Sequence, residues 1–282
     1  MKSLFYIALL ALLLAWAGSQ GGQAYSGVPI FAASAAFIFL VQWLAFVPAY
    51  ALQTEVFYDL TGSVTYISVV ISALILSGSV DPGSLLITGC ILVWALRLGS
   101  FLFKRILEDG SDGRFDKLKP APLRFFVVWN LQALWVLVTV GCGLAAITSS
   151  TGSPVSVVLI VGFLVWASGF MIEVVADNQK RAFRKNNGKG GFVNTGLWRR
   201  SRHPNYFGEI LLWTGIAIMS LPALRGWQYL ALVSPVFVYF LLARVSGIPL
   251  LERKADKLWG EDPAYQAYKD ITPVLVPGVL GR

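Results

Sequence analysis

The run Gly196-Leu197-Trp198-Arg199-Arg200-Ser201-Arg202-His203-Pro204-Asn205-Tyr206-Phe207-Gly208-Glu209 holds the only histidine of the chain, three arginines, an asparagine and a glutamate. Pro204 stops a helix arriving from the basic loop before it, because proline restricts the preceding residue and donates no N–H. A new helix can start there, with the unpaired N–H groups and positive dipole end of its first turn near Asn205 to Gly208. Flanked by Arg199, Arg200 and Arg202, such an end suits a phosphate or a carboxylate. The alternative is equally physical: basic residues between membrane helices often serve only as orientation signals, and a lone histidine is often structural.

Other polar groups stand where an apolar chain should not tolerate them. Gln53, Thr54, Glu55, Tyr58 and Asp59 follow the second apolar run, and Arg97 sits in the last two turns of the fourth. Glu173, Asp177, Arg181 and Arg184 recur at i, i+4, i+8 and i+11, which puts them on one face of a helix continuing past the sixth run. Asn205, Tyr206 and Glu209 open the seventh. All of these belong to one leaflet level, and ionisable groups there are costly and often functional. They predict a polar pocket; interhelical ion pairs with snorkelling arginines are the competing account. Glu173, with membrane-like sequence on both sides, requires a partner or a function.

The elements that must carry these residues follow from composition. The 282-residue chain is 56% hydrophobic and 13% charged, with a mean hydropathy of +0.66; soluble domains run near about a quarter charged. Continuous apolar runs of membrane-spanning length exclude the alternation of a barrel and predict an all-α polytopic membrane helix bundle. Spans are expected at Leu4–Ala17, Val28–Ala51, Ser63–Ile75, Leu85–Phe103, Leu123–Ile147, Pro154–Val175, Phe207–Leu221 and Tyr229–Val245, about eight, with seven if the first is lost. That first run ends in Ala15-Trp16-Ala17 like a signal peptide, and the reading here is a retained helix. No repeat or linker divides the chain, so residues 1–282 read as a single integral membrane domain. Of the 23 lysines and arginines, 22 fall at one set of span ends, leaving Arg225 opposite. The positive-inside rule then makes both termini and the polar pocket cytoplasmic, as for a protein of the bacterial inner membrane. The same placement explains the net charge of +8 without nucleic acid.

Several chemistries lack their motifs. No G-x-G-x-x-G follows a strand, Gly188-Lys189-Gly190-Gly191 lacks the spacing of a P-loop and reads as a turn, and no His/Cys cluster suits a metal. Cys90 and Cys142 fall inside apolar runs and read as packing residues.

The core Arg202-His203-Pro204-Asn205-Tyr206-Phe207-Gly208-Glu209 resembles the signature of the steroid 5α-reductase-like membrane family, in the bacterial branch known as a domain of unknown function, DUF1295. The resemblance includes Asp59-x-x-Gly62, Trp94-x-x-Arg97-Leu98, Gln132, Glu173-x-x-x-Asp177-x-Gln179-x-x-x-Phe183, Ser246-Gly247-x-Pro249-Leu250-Leu251-Glu252, Tyr265-x-x-Tyr268 and Pro277, over roughly residues 50–277. It implies an NADPH site and hydride transfer to an enone of a steroid-like or other lipid-like substrate entering from the bilayer. By motif it gives Asp177, Arg184, Asn205 and Glu209 to the cofactor, with Arg97 contributing; Glu173, Arg181, Arg202, His203 and Tyr206 join them as neighbours. Gln53 and Glu55 fall to the substrate carbonyl, with Tyr58 and Asp59 as further candidates. An apolar pocket would raise the pKa of a carboxyl such as Glu55 and let it donate a proton to the enolate. Two departures touch this chemistry: Thr54 separates Gln53 from Glu55, and Trp94 replaces the tyrosine that polarises the carbonyl in the reductases. Membrane methyltransferases of the isoprenylcysteine carboxyl type share an Arg-His-Pro-x-Tyr-x-Gly pattern and a late glutamate before a Tyr-x-x-Tyr-like tail, so Gly196, Tyr206, Glu252 and Tyr265 fit either family; their resemblance implies S-adenosylmethionine instead. A transporter or scaffold with a salt-bridged polar core is the non-enzymatic alternative.

Overall fold

The computed structural model describes residues 2–188 and 191–278; Lys189 and Gly190 of the glycine-rich turn lie outside them. Among the described residues the chain is all-α apart from one small hairpin and an isolated bridge between Gly22 and Ser149. Its helices are α1 (Lys2–Ser19), α2 (Ile30–Ala51), α3 (Tyr58–Ser77), α4 (Pro82–Asp109), α5 (Pro122–Ile147), α6 (Val157–Asn187), α7 (Pro204–Ser220), α8 (Ser234–Phe240), α9 (Ile248–Trp259) and α10 (Pro263–Ile271). Among the described residues, seven helical stretches are long and apolar enough to cross a membrane: α1 to α6 and the run Gly226–Trp259. The expected seventh span is the 17-residue α7. The third, expected to be short, extends to 20 residues because its polar first turn is helical as well.

Contacts divide the chain into two compact units, Met1–Ile160 with Ile216–Ser234, and Val161–Gly215 with Pro235–Arg282. The first is built on α5, which packs against α1, α2, α3, α4 and the 3₁₀ segment Gly226–Val233. Every residue of α5 from Gln132 to Ile147 except Trp135 is buried, and a helix apolar all round belongs in such a place. Some of its polar groups are matched inside. Ser234 Oγ donates to the Thr139 carbonyl at 2.8 Å, and Gln132 Nε2 donates to the Tyr58 carbonyl at 2.8 Å. Cys90 and Cys142 are buried free thiols, as expected.

Two local structures depart from the expected pattern. The connector before α2 forms a two-stranded hairpin, β1 (Ala24–Tyr25) and β2 (Val28–Pro29), turned by Ser26 and Gly27 at φ +50° and +80°. Two positive φ values suit the twist of a two-residue hairpin turn. The last span is not one α-helix: a 3₁₀ segment gives way to α8 and then to a π-turn over Leu241–Val245. Pro235 cannot donate a backbone N–H, so the ladder changes register there.

Candidate functional site

In the second unit, α6 and α7 meet backbone to backbone. A Cβ built on Gly208 would lie 2.6 Å from the Glu173 nitrogen and 2.7 Å from the Gly169 oxygen. One built on Gly169 would lie 2.5 Å from the Leu212 nitrogen, and one on Gly215 2.7 Å from the Gly162 oxygen. Only hydrogen side chains permit this approach, which is how helices associate where lipid offers no hydrophobic drive. The seam sets Glu173 and Asp177 of α6, both buried, alongside the first turns of α7.

The turn preceding α7 is stitched to the polar half of α6. Gly196 has φ +62°, and a Cβ there would strike the Gln179 amide at 2.5 Å. That amide oxygen accepts the Leu197 N–H at 2.9 Å, and Trp198 Nε1 donates to the Ala176 carbonyl at 2.9 Å. The C-terminal tail holds the same turn from its other side. The Arg202 N–H donates to the Pro273 carbonyl at 2.9 Å and the Gly278 N–H to the Arg200 carbonyl at 2.9 Å. Ser201 Oγ donates to the Leu275 carbonyl at 2.7 Å.

Helix α7 begins at Pro204, and its first turn carries the chemistry. Asn205 Nδ2 donates to Asp177 Oδ1 at 3.2 Å. Glu252, from α9, accepts from His203 Nε2 at 2.8 Å and pairs with the Arg202 guanidinium at 3.3 Å. The carboxylate has no proton to give, so Nε2 carries the ring hydrogen and Nδ1 is an acceptor. Burial lowers the His203 pKa and outweighs the opposing pull of Glu252, which favours the neutral ring at neutral pH. The ring also stacks on Tyr206, with centroids 5.7 Å apart. Two atoms, His203 Nδ1 and Arg202 Nε, are buried with no hydrogen-bond partner among the described residues. Glu209 is half-buried, while Arg181, Arg184, Arg199 and Arg200 are exposed.

The candidates in the first unit are held differently. Gln53 is exposed at φ +50°, and its amide donates to the Tyr50 carbonyl at 2.7 Å. Glu55 is buried and accepts from Lys119 Nζ at 2.6 Å and from the Asp112 N–H at 2.7 Å. Burial pushes its carboxyl up, but the Lys119 ammonium and the Asp112 N–H outweigh it and hold the pKa below the ordinary value. The expected raised pKa is therefore corrected: the Lys119 ammonium and the Asp112 N–H favour the ionised carboxylate. Tyr58 donates to the Val128 carbonyl at 3.1 Å and packs edge-on against Phe115 and Trp129. Asp59 pairs with Arg105 at 3.7 Å. The Arg97 guanidinium lies 5.1 Å from the Phe101 ring centre, and Trp94 packs edge-on against Tyr66.

Glu55 thus fastens the loop of residues 110–121 to the end of α2, and the sign of its pH dependence follows. A depressed folded pKa gives stability that is present above the unfolded value, near 4.5, and lost as pH falls through the folded one. Limited proteolysis in detergent should cut the 110–121 loop faster below that pH. Glu55→Gln should cut fast at neutral pH and lose the acid dependence, having forfeited about 1–3 kcal/mol. A loop equally resistant in both proteins at all pH values would refute the clasp.

Glu252 lies in the Ser246–Glu252 motif and fits either family resemblance, but it is not among the residues expected to hold the cofactor. Gly247 explains that motif: a Cβ there would lie 2.5 Å from the Leu242 oxygen and 2.9 Å from Tyr206 Cε2. The glycine seam also had a visible signal, since Gly162 and Gly169, like Gly208 and Gly215, are seven residues apart.

Fold and spans together define a polytopic helical membrane protein with a polar cluster at the start of α7. Residues 45–272 match the family model described as a protein of unknown function (DUF1295), and the chain belongs to that family. No curated protein and no solved structure matched it.

Proposed function

We propose that the protein is a membrane-embedded NADPH-dependent reductase acting on a carbon–carbon double bond of a lipid-like, enone-type substrate. The observation that carries this reading is the cluster at the start of α7. There Glu252 bridges Arg202 and His203, Asn205 pairs with Asp177, and a buried donor and a buried acceptor are left open. Buried polar atoms without partners are expensive, and a ligand carrying both donors and acceptors relieves the cost. Arg181 and Arg184, exposed beyond Asp177 on α6, offer guanidinium forks that match phosphate oxygens. The cofactor when bound supplies the hydride. The chain's own share is to hold it through Asp177, Arg184, Asn205 and Glu209, with Glu173, Arg181, Arg202, His203 and Tyr206 in support. The substrate is taken to enter from the bilayer. The charge asymmetry of the sequence supports cytoplasmic termini and a bacterial inner-membrane location.

A second reading, an S-adenosylmethionine-dependent methyltransferase, is favoured by one specific observation. Glu55 is tied to Lys119, and a tryptophan, Trp94, packs against Tyr66 where the reductases have their carbonyl-polarising tyrosine, so these two positions do not form that glutamate–tyrosine pair. Ligand-dependent thermal stability separates the two. NADPH at a hundredfold excess over its Kd should stabilise the purified protein by about 2.7 kcal/mol, and Asn205→Ala should remove about 1–3 kcal/mol of that binding. Stabilisation by S-adenosylmethionine and none by NADPH would replace the reductase with the methyltransferase.

A further inference from the structure

We propose that the outer face of α9 is a binding site for the headgroup of an anionic phospholipid. Helix α9 follows directly on an apolar run: the π-turn ends at Val245, Gly247 breaks the chain direction, and α9 starts at Ile248. Within α9, Leu250, Arg253, Lys254, Lys257 and Leu258 recur at i, i+3, i+4, i+7 and i+8, and all five are exposed. They form one stripe, and Leu250, Arg253, Lys254 and Lys257 line a shallow recess of about 330 Å³.

The charge on this stripe is uncompensated because both acids of α9 are engaged elsewhere. Glu252 is held by His203 and Arg202, and Asp256 receives Lys269 Nζ at 2.6 Å. No carboxylate among the described residues pairs with Arg253, Lys254 or Lys257; Arg253 Nε only turns back to the Pro249 carbonyl at 3.0 Å. Three cations are therefore flanked by two leucines that are 43% and 58% exposed. A helix of this make-up lies in the membrane interface, with its leucines among acyl chains and its cations among headgroups. The matching occupant is a phosphate-bearing lipid without a compensating ammonium. Choline lipids carry their own cation and gain little. This inference does not depend on the reductase reading.

The test uses the full chain in nanodiscs of equal phosphatidylglycerol and phosphatidylcholine, with native mass spectrometry of the lipids retained on release. Each interfacial cation contributes roughly fivefold to anionic-lipid binding, so the wild type should retain phosphatidylglycerol in excess by on the order of a hundredfold. R253Q/K254Q/K257Q should bring the two lipids to near parity, and K254Q alone should lower the excess by roughly fivefold. All three side chains are exposed, so a Tm close to that of the wild type is expected and is measured alongside. Retention of the full preference by the triple variant would overturn the proposal. So would inorganic phosphate stabilising the wild type over the triple variant while neither lipid is preferred, since the stripe would then serve free phosphate.

Discussion

Gly208→Leu is expected to leave no correctly folded protein, and Gly208→Ala to lower the unfolding free energy by about 3 kcal/mol, the upper end for overpacking. The first atom of any side chain at this position meets backbone, the Glu173 nitrogen and the Gly169 oxygen, and backbone cannot rotate aside as a side chain can. Relief requires α6 and α7 to separate, which also takes Asp177 away from Asn205. The contrast is Gly89, a helical glycine of α4 with no atom within 4 Å of a built Cβ. There alanine should be neutral or stabilising by up to about 1 kcal/mol, since it lowers the backbone entropy lost on folding. Thermal unfolding of both variants in detergent measures the difference. Equal Tm values for Gly208→Ala and Gly89→Ala would show that the seam does not hold the two helices.

Glu252→Ala carries the second large effect. It strips a carboxylate from Arg202, whose side chain is 12% exposed, and from the hydrogen on His203 Nε2. A partly buried guanidinium and a buried N–H then lack their acceptor, at a cost of about 2–4 kcal/mol. Glu252→Gln keeps one acceptor and should cost about half as much. Nitrogen-15 spectra of the single histidine supply a readout that general destabilisation does not move. The wild type should show a neutral ring protonated at Nε2, and Glu252→Ala should show mixed tautomers. An unchanged Nε2 tautomer together with an unchanged Tm would remove Glu252 from the network.

The helices were legible because membrane insertion demands continuous apolar runs: α1, α3, α4 and α5 contain the runs expected for them, while α2 and α6 start two and three residues inside theirs, with Val28 and Pro29 taken by the hairpin. The polar start of α7 was legible because Pro204 fixes where a helix can begin. The stripe from Glu173 to Arg184 was legible because helical period alone aligns it. What escaped was set by contacts distant in sequence. Lys119 reaches Glu55 from a loop beyond α4, and no periodicity announces that pairing, so the carboxyl expected to be proton-rich is an ionised clasp. The change from 3₁₀ to α to π along the last span depends on hydrogen-bond register, to which hydropathy is blind. Glu252 stood in a recognisable motif, but its purpose is visible only when α9 turns it toward His203.

The tail hydrogen bonds give the site a place in time. Arg200 to Arg202 are translated well before Pro273, Leu275 and Gly278, the residues that fasten them. Membrane helices emerge in sequence, and early segments settle before later ones exist. Until the tail is made, the turn carrying Arg202 and His203 lacks one of its two supports, and before α9 is made Glu252 is missing too. The cluster at the start of α7 is therefore finished only after Gly278 has been made. A nascent chain that stalls or terminates beyond α9 but short of the tail can hold every spanning helix and every candidate site residue, and still lack the order that makes them a site.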